Sequence, residues 1–183
     1  MTSMGDASTS QGFLRVMIAA DLDSVLQMRN HVDVRRYMLT QHEITMEEHA
    51  LWFDRASQNS SLELLVLEID TKCCGFAQFK ETNYRGVIDW GFYVAPVAPK
   101  GTGRTLGLAA IKHAFKNEST HKICGQALSW NHPSIEFHKS LGFGQEGILL
   151  DQHFDGIACH DLICFGLLKR SWLVNGLQIG PNK

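Results

Sequence analysis

The stretch Lys100-Gly101-Thr102-Gly103-Arg104-Thr105 sets two glycines and two cations directly ahead of an uninterrupted run of helix-forming residues. The first turn of a helix has amide N–H groups without intrahelical partners, and the helix dipole adds partial positive charge there. Glycines let a ligand approach that backbone closely. The chemistry suited to such a loop is the holding of an anion, most often phosphate. Neither the G-x-x-x-x-G-K-[ST] pattern of a Walker loop nor the G-x-G-x-x-G dinucleotide fingerprint is present.

The elements that must position this loop follow from pattern. "FLRVMI" (13–18) is a β-like run, and Asp21 then caps a helix carrying Leu22, Val25, Leu26 and Met28 at helical spacing. Thr45 and Glu48 form a T-x-x-E capping box for a second helix, with Trp52, Phe53 and Ala56 on its apolar face. Residues 61–69, "GFAQFKETNY" and 87–94 read as three strands. The glycine loop opens a helix over 103–117, and 122–129 is a further strand. "HPSIEFHKSLGF" is a short helix, with Pro133 in its first turn and Gly142 past its end. A closing hairpin turns at Asp155-Gly156. The order β-α-α-β-β-β-α-β-α-β-β has no internal repeat and defines one mixed α/β domain over 13–172, between a leader (1–12) and a tail (173–183).

Composition bounds the function. A chain of 183 residues can bury one sizeable core. A net charge of −2 gives no basic footprint for nucleic acid. The five cysteines are odd in number and form no C-x-x-C pair, so they read as reduced thiols. With no membrane-spanning run and no signal-peptide core, the expected location is the cytoplasm. The histidines show no zinc spacing, and no metal is expected.

The element order and two motifs resemble the GNAT family of acetyl-CoA-dependent N-acetyltransferases. Lys100 to Thr105 occupy the six places of that family's pyrophosphate loop, [QR]-x-x-G-x-[GA], with Lys100 and Thr105 departing from it. Asn131-His132-Pro133-Ser134-Ile135-Glu136-Phe137-His138-Lys139-Ser140-Leu141-Gly142-Phe143 is similar to N-x-x-A-x-x-x-Y-x-x-x-G-F, with His138 in place of tyrosine. The resemblance implies a central mixed, mostly antiparallel sheet flanked by helices, its fourth and fifth strands splayed to admit acetyl-CoA. It implies cofactor contacts from Phe92, Val94, Lys100, Gly101, Thr102, Gly103, Arg104, Thr105, Asn131 and Ser134. The Val94 N–H is the expected oxyanion donor and His138 the expected acid for the departing thiolate. Gln126 stands where relatives have a strand carboxylate, so it can orient water but cannot take a proton. Asp89 and Glu81 remain open as bases.

"RNHVDVRRYM", "ITMEEHALWF" and "HFDGIACHDLICFGLLKRSW" narrow the resemblance to one subgroup of the family. Its members acetylate the 4-amino group of UDP-4-amino-4,6-dideoxy-N-acetyl-β-L-altrosamine in pseudaminic acid biosynthesis, for flagellin glycosylation. Arg29, His49, Lys80 and Tyr93 fall at positions implying contact with a nucleotide-sugar substrate, and a homodimer is implied. The rival expectations are acetylation of a protein N-terminus or polyamine, and a non-catalytic CoA-binding sensor.

Overall fold

Continuous apolar runs such as Leu64–Leu67 build a sheet that is packed on both faces. A computed structural model of the chain describes residues 12–176; all but the last residue of the expected leader and most of the expected tail lie outside the described residues. The elements run β1 (Phe13–Val16), a 3-10 turn (Ala19–Asp21), α1 (Leu22–Asn30), α2 (Val32–Arg35), α3 (Met46–Ser57), β2 (Leu62–Ile69), β3 (Lys72–Glu81), β4 (Val87–Val94), α4 (Thr102–Lys116), β5 (Lys122–Leu128), α5 (His132–Ser140), β6 (Gly144–Phe154), β7 (Cys159–Leu168) and α6 (Lys169–Gly176). The sheet order is β1-β2-β3-β4-β5-β7-β6, antiparallel throughout except for the parallel pair β4–β5. Two short elements escape the sequence reading. One is α2, a single turn; the other is α6, which crosses the expected domain end at 172 and packs Trp172 on the core.

Trp90, Ile123, Ala127, Ile163, Phe165 and Leu167 point to one face of the sheet, where α4 contributes Leu106, Ala110 and Ile111. On the opposite face Leu64, Val66 and Phe76 meet Val25 and Met28 of α1 and Ala56 of α3. The second face is covered by helices over β2 and β3, and it is this face that presents Asp89, Gly91 and Tyr93 of β4. Arg15 ties its start together, bonding Asp21 at 2.7 Å and Glu68 at 2.8 Å. Asp21 is buried and held below the usual carboxylate range by that guanidinium.

Candidate active site

Strands β4 and β5 pair over only three rungs, ending at Asp89↔Cys124, although β4 continues to Val94 and β5 to Leu128. Beyond that rung they part. The Ala95 N–H donates to the Cys74 carbonyl at 2.9 Å, on the β3 side. Since N–H groups alternate along a strand, those of Phe92 and Val94 face the gap.

A cavity of about 460 Å³ occupies this region, lined among others by Val94, Pro96, Gly103, Asn131, Ser134 and Phe137. Segments from three elements converge here. Gly101 is the N-cap of α4 with φ +95°, a conformation that only glycine adopts freely. No side chain caps α4, in contrast to Thr45 on α3 and Asn131 on α5. Among the described residues neither the Gly103 nor the Arg104 N–H has a backbone partner, and Lys100 and Arg104 stand exposed beside them. A Cβ at Gly101 would meet nothing within 4 Å, so the loop is open to a ligand. Free first-turn amides, flanking cations and an open approach fit a diphosphate.

Other expected contacts fall differently. Thr102 is buried, and both its N–H (3.1 Å) and its hydroxyl (2.7 Å) donate to the Pro99 carbonyl, so it braces the loop instead of meeting a ligand. The Thr105 N–H is spent on the Gly101 carbonyl at 3.0 Å. Asn131 uses its side-chain oxygen to cap α5 at the Ser134 N–H, 3.1 Å, which leaves only its amide NH2 for the cavity.

His138 is 1% exposed and does not line the cavity. Its Nε2 lies 3.1 Å from Trp90 Nε1, and its Nδ1 lies 2.7 Å from the Ser134 carbonyl. Indole N–H only donates, so Nε2 accepts and Nδ1 carries the proton given to Ser134. Burial lowers the imidazole pKa, with the Ser134 bond acting against it. The expected thiolate acid is thus a neutral ring with both nitrogens engaged, walled in by Phe165 at 4.6 Å and Phe143 at 5.2 Å between ring centres. That placement runs against the acid role.

A second cavity, of about 540 Å³, lies on the α1/α3 side and shares Met38, Phe92 and Tyr93 with the first. Arg29 and His49 both line it. Arg29 Nη2 donates to the Thr40 carbonyl at 2.6 Å, whereas Nη1 is buried without a partner. His49 stacks on Trp52 at 5.0 Å and its Nε2 is likewise buried and unpartnered. Burial, then the neighbouring Arg29 charge, lower the His49 pKa, so the ring is neutral. Burial also raises the Tyr93 pKa, with Arg29 pulling it back. Glu48 is the only carboxylate in the lining, and it already caps Thr45 N–H at 2.7 Å.

Arg29, His49 and Tyr93 therefore come together as expected, and Lys80 does not. Lys80 sits opposite Asp89 toward the far end of β3, outside this lining. Gln126 is exposed on β5 with its Nε2 4.0 Å from Cys164 Sγ, outside both cavities. Trp52, placed by the sequence on the apolar face of its helix, lines the second cavity, as does Phe92; Met38 and Gln78 in that lining and Tyr37 in the first cavity carry no sequence signal. A larger hollow of about 870 Å³ lies at the other end of α4, walled by Glu63, Glu81, Arg85, His113 and Lys116. Among the described residues no group of three or more His, Cys, Asp or Glu residues could hold a metal, and no helix is long and apolar enough to cross a membrane.

A parallel strand pair that splits over an uncapped, glycine-led helix is suited to a long phosphate-bearing ligand. The sequence profile of the acetyltransferase (GNAT) domain matches residues 13–144, and the chain belongs to that family. It is an acyltransferase that uses acetyl-CoA as donor. It is 26% identical over 127 residues (68% of this chain, 71% of the relative) to the SPbeta prophage-derived uncharacterized N-acetyltransferase YokL of Bacillus subtilis (strain 168). It is 24% identical over 167 residues (90% and 96%) to spermidine N(1)-acetyltransferase of Vibrio cholerae. The crystal structure of the Vibrio cholerae spermidine N-acetyltransferase with CoA and spermine superposes with a TM-score of 0.81 at 22% identity, covering 89% of this chain and 98% of that one. Neither relative is named as a nucleotide-sugar enzyme.

Proposed function

We propose that the chain acetylates a primary amine on an acceptor that also carries negative charge, by direct attack of the amine on the acetyl-CoA thioester. The observation that carries this reading is the pair of buried, unpartnered nitrogens, Arg29 Nη1 and His49 Nε2, in a cavity with aromatic walls. A buried guanidinium nitrogen without a partner is costly, and an anionic ligand relieves that cost with a charge-assisted bond. A UDP-linked amino-dideoxy sugar, as in pseudaminic acid biosynthesis, meets both demands. Its phosphates suit Arg29 and its base suits the Trp52 and Tyr93 rings. In this reading the free N–H groups around Gly103 hold the CoA diphosphate, and the Phe92 and Val94 N–H groups hold the pantetheine chain and the developing oxyanion. Much of the rate then comes from alignment of the two substrates.

Likeness to the spermidine enzyme favours a second reading, a polyamine acceptor. A polyamine would bring cations to a cavity that holds Arg29 and Arg55 and only an engaged Glu48, which is why the first reading is preferred. The deciding experiment incubates the protein with acetyl-CoA and either UDP-4-amino-4,6-dideoxy-N-acetyl-β-L-altrosamine or spermidine, and follows free thiol. The expected result is release with the nucleotide sugar and little with spermidine. The reverse overturns the proposal.

A further inference from the structure

An amine attacks a thioester only with its lone pair aimed at the carbonyl carbon, so something must hold the nitrogen by its N–H. We infer that Gln78 does this, its carboxamide oxygen accepting one N–H of the attacking amine where the two cavities meet. The inference rests on the proposed function, in that the acceptor enters the cavity lined by Arg29 and His49.

The meeting point is marked by Met38, Phe92 and Tyr93, which line both cavities. Gln78 of β3 pairs with Gly91 of β4, the residue directly before Phe92, and both line the acceptor cavity. With no side chain at position 91, Gln78 folds over the β4 backbone. A Cβ added to Gly91 would find Gln78 Nε2 at 3.4 Å and Cγ at 3.5 Å. Since Nε2 is the amide atom nearer to Gly91, Oε1 is the one turned away from that backbone.

Other polar side chains of the lining are committed or face elsewhere. Arg29, Glu48 and Arg55 bond the backbone at Thr40, Thr45 and Leu51, and His42 lies 3.4 Å from Glu48. Among the described residues no such bond engages the Gln78 carboxamide, which is half-buried. His49 is carried by α3 and stacks on Trp52, and Tyr93 faces Arg29, whose charge acts on its hydroxyl. On the sheet itself Gln78 lies between the stacked rings of Phe76 and Tyr93, 5.0 Å apart, and the Lys80↔Asp89 pair outside the lining. It is the uncommitted neutral acceptor beside Phe92.

Neutrality matters to the chemistry. A carboxylate in this place would favour the ammonium form of the acceptor and so hold the proton that blocks attack. A carboxamide oxygen accepts an N–H without that bias and orients the amine in its reactive form. It also gives a cationic acceptor no charge to bind, in keeping with an acceptor gripped through its anionic part by Arg29.

The test compares wild type, Gln78→Leu and Gln78→Glu on the primary amine that wild type acetylates fastest, the nucleotide sugar and spermidine both included. Gln78→Leu should lose about tenfold or more in kcat at every pH, because orientation is lost. Gln78→Glu should be slow near neutrality and recover as pH rises, its profile displaced to the alkaline side of wild type. Calorimetric affinity for acetyl-CoA and the thermal midpoint should stay unchanged in both variants. A leucine variant within about twofold of wild type in kcat and acceptor KM overturns the inference. So does a fall in acetyl-CoA affinity that matches the loss of rate, or a glutamate variant with the wild-type pH profile. Preference of the wild type for spermidine overturns the acceptor reading instead, and the Gln78 comparison then stands on spermidine.

Discussion

The Trp90 indole donates to His138 Nε2 at 3.1 Å across the point where β4 and β5 separate. Gly125 of β5 permits it: a Cβ there would lie 2.5 Å from His138 Nε2 and 2.6 Å from Trp90 Nε1. Phe143 stacks on Trp90 at 5.0 Å and Phe92 tilts against it at 4.6 Å. These residues plug the wedge beneath the gap, so the shape of the cofactor channel depends on a buried bond between two rings.

His138 should therefore titrate unlike a catalytic acid. In ¹⁵N spectra of selectively labelled protein its ring is expected as the neutral, Nδ1-protonated tautomer at neutral pH, with its protonation displaced below the ordinary histidine range. A free imidazole would protonate in that range. An imidazolium signal growing in near the ordinary histidine pKa would restore the acid role.

Gly125→Ala should break the Trp90–His138 bond, because the new methyl cannot coexist with either nitrogen. Overpacking of this kind costs about 1–3 kcal/mol. The expected outcome in denaturant melts is a loss of that size, with a higher KM for acetyl-CoA as the wedge shifts. A fully stable variant would show that the bond has room to move.

Gly101→Ala tests the loop without steric interference, since its Cβ meets no atom within 4 Å. The cost comes from φ +95°, about 1–2 kcal/mol for a residue bearing a Cβ. Stability should drop by about that much, and acetyl-CoA affinity should fall as Gly101 leaves its left-handed conformation. Gly101→Asn should be milder, because asparagine tolerates that region better.

Arg29→Met removes a buried charge that the protein itself does not neutralise. Its stability should hold or rise in thermal melts, because the desolvation that lowers the Arg29 pKa is relieved. The acceptor KM should rise about tenfold or more while that for acetyl-CoA stays put. Stability and function moving in opposite directions identifies a group kept for a ligand. A parallel loss of both would mark Arg29 as structural.

Legibility in the sequence followed the physics of each feature. The capping box at Thr45 and Glu48, the exact run 87–94 and the glycine-led helix are local signals, and each element formed where its pattern put it. The single turn of α2 has too little periodicity to be seen, and α6 begins directly where β7 ends, with no break to announce it. Within the site, Arg29 and His49 were legible as residue types but not as unpartnered atoms. Thr102 could not be told from a ligand, because its commitment to Pro99 depends on the loop's own closure. Asp89 and Glu81 are indistinguishable by composition. Only the register of β3 against β4 puts them on opposite faces of the sheet, with Glu81 at the far hollow.

The two buried histidines also set how stability responds to acid. Burial lowers the pKa of both His49 and His138 from the ordinary 6.5. Below about pH 6.5 the unfolded chain binds protons that the native chain refuses, so the unfolding free energy falls as pH drops through that window. Above it both states hold neutral rings, and this contribution is flat. Thermal midpoints should therefore be level above neutrality and decline on acidification before the carboxylates begin to titrate. His138→Phe, which cannot take up a proton, should flatten part of that decline. It should also lower the midpoint at neutral pH, because Trp90 Nε1 loses its acceptor at a cost of about 1–3 kcal/mol. An acid decline identical in slope for wild type and His138→Phe would show that His138 titrates alike in the folded and unfolded chain.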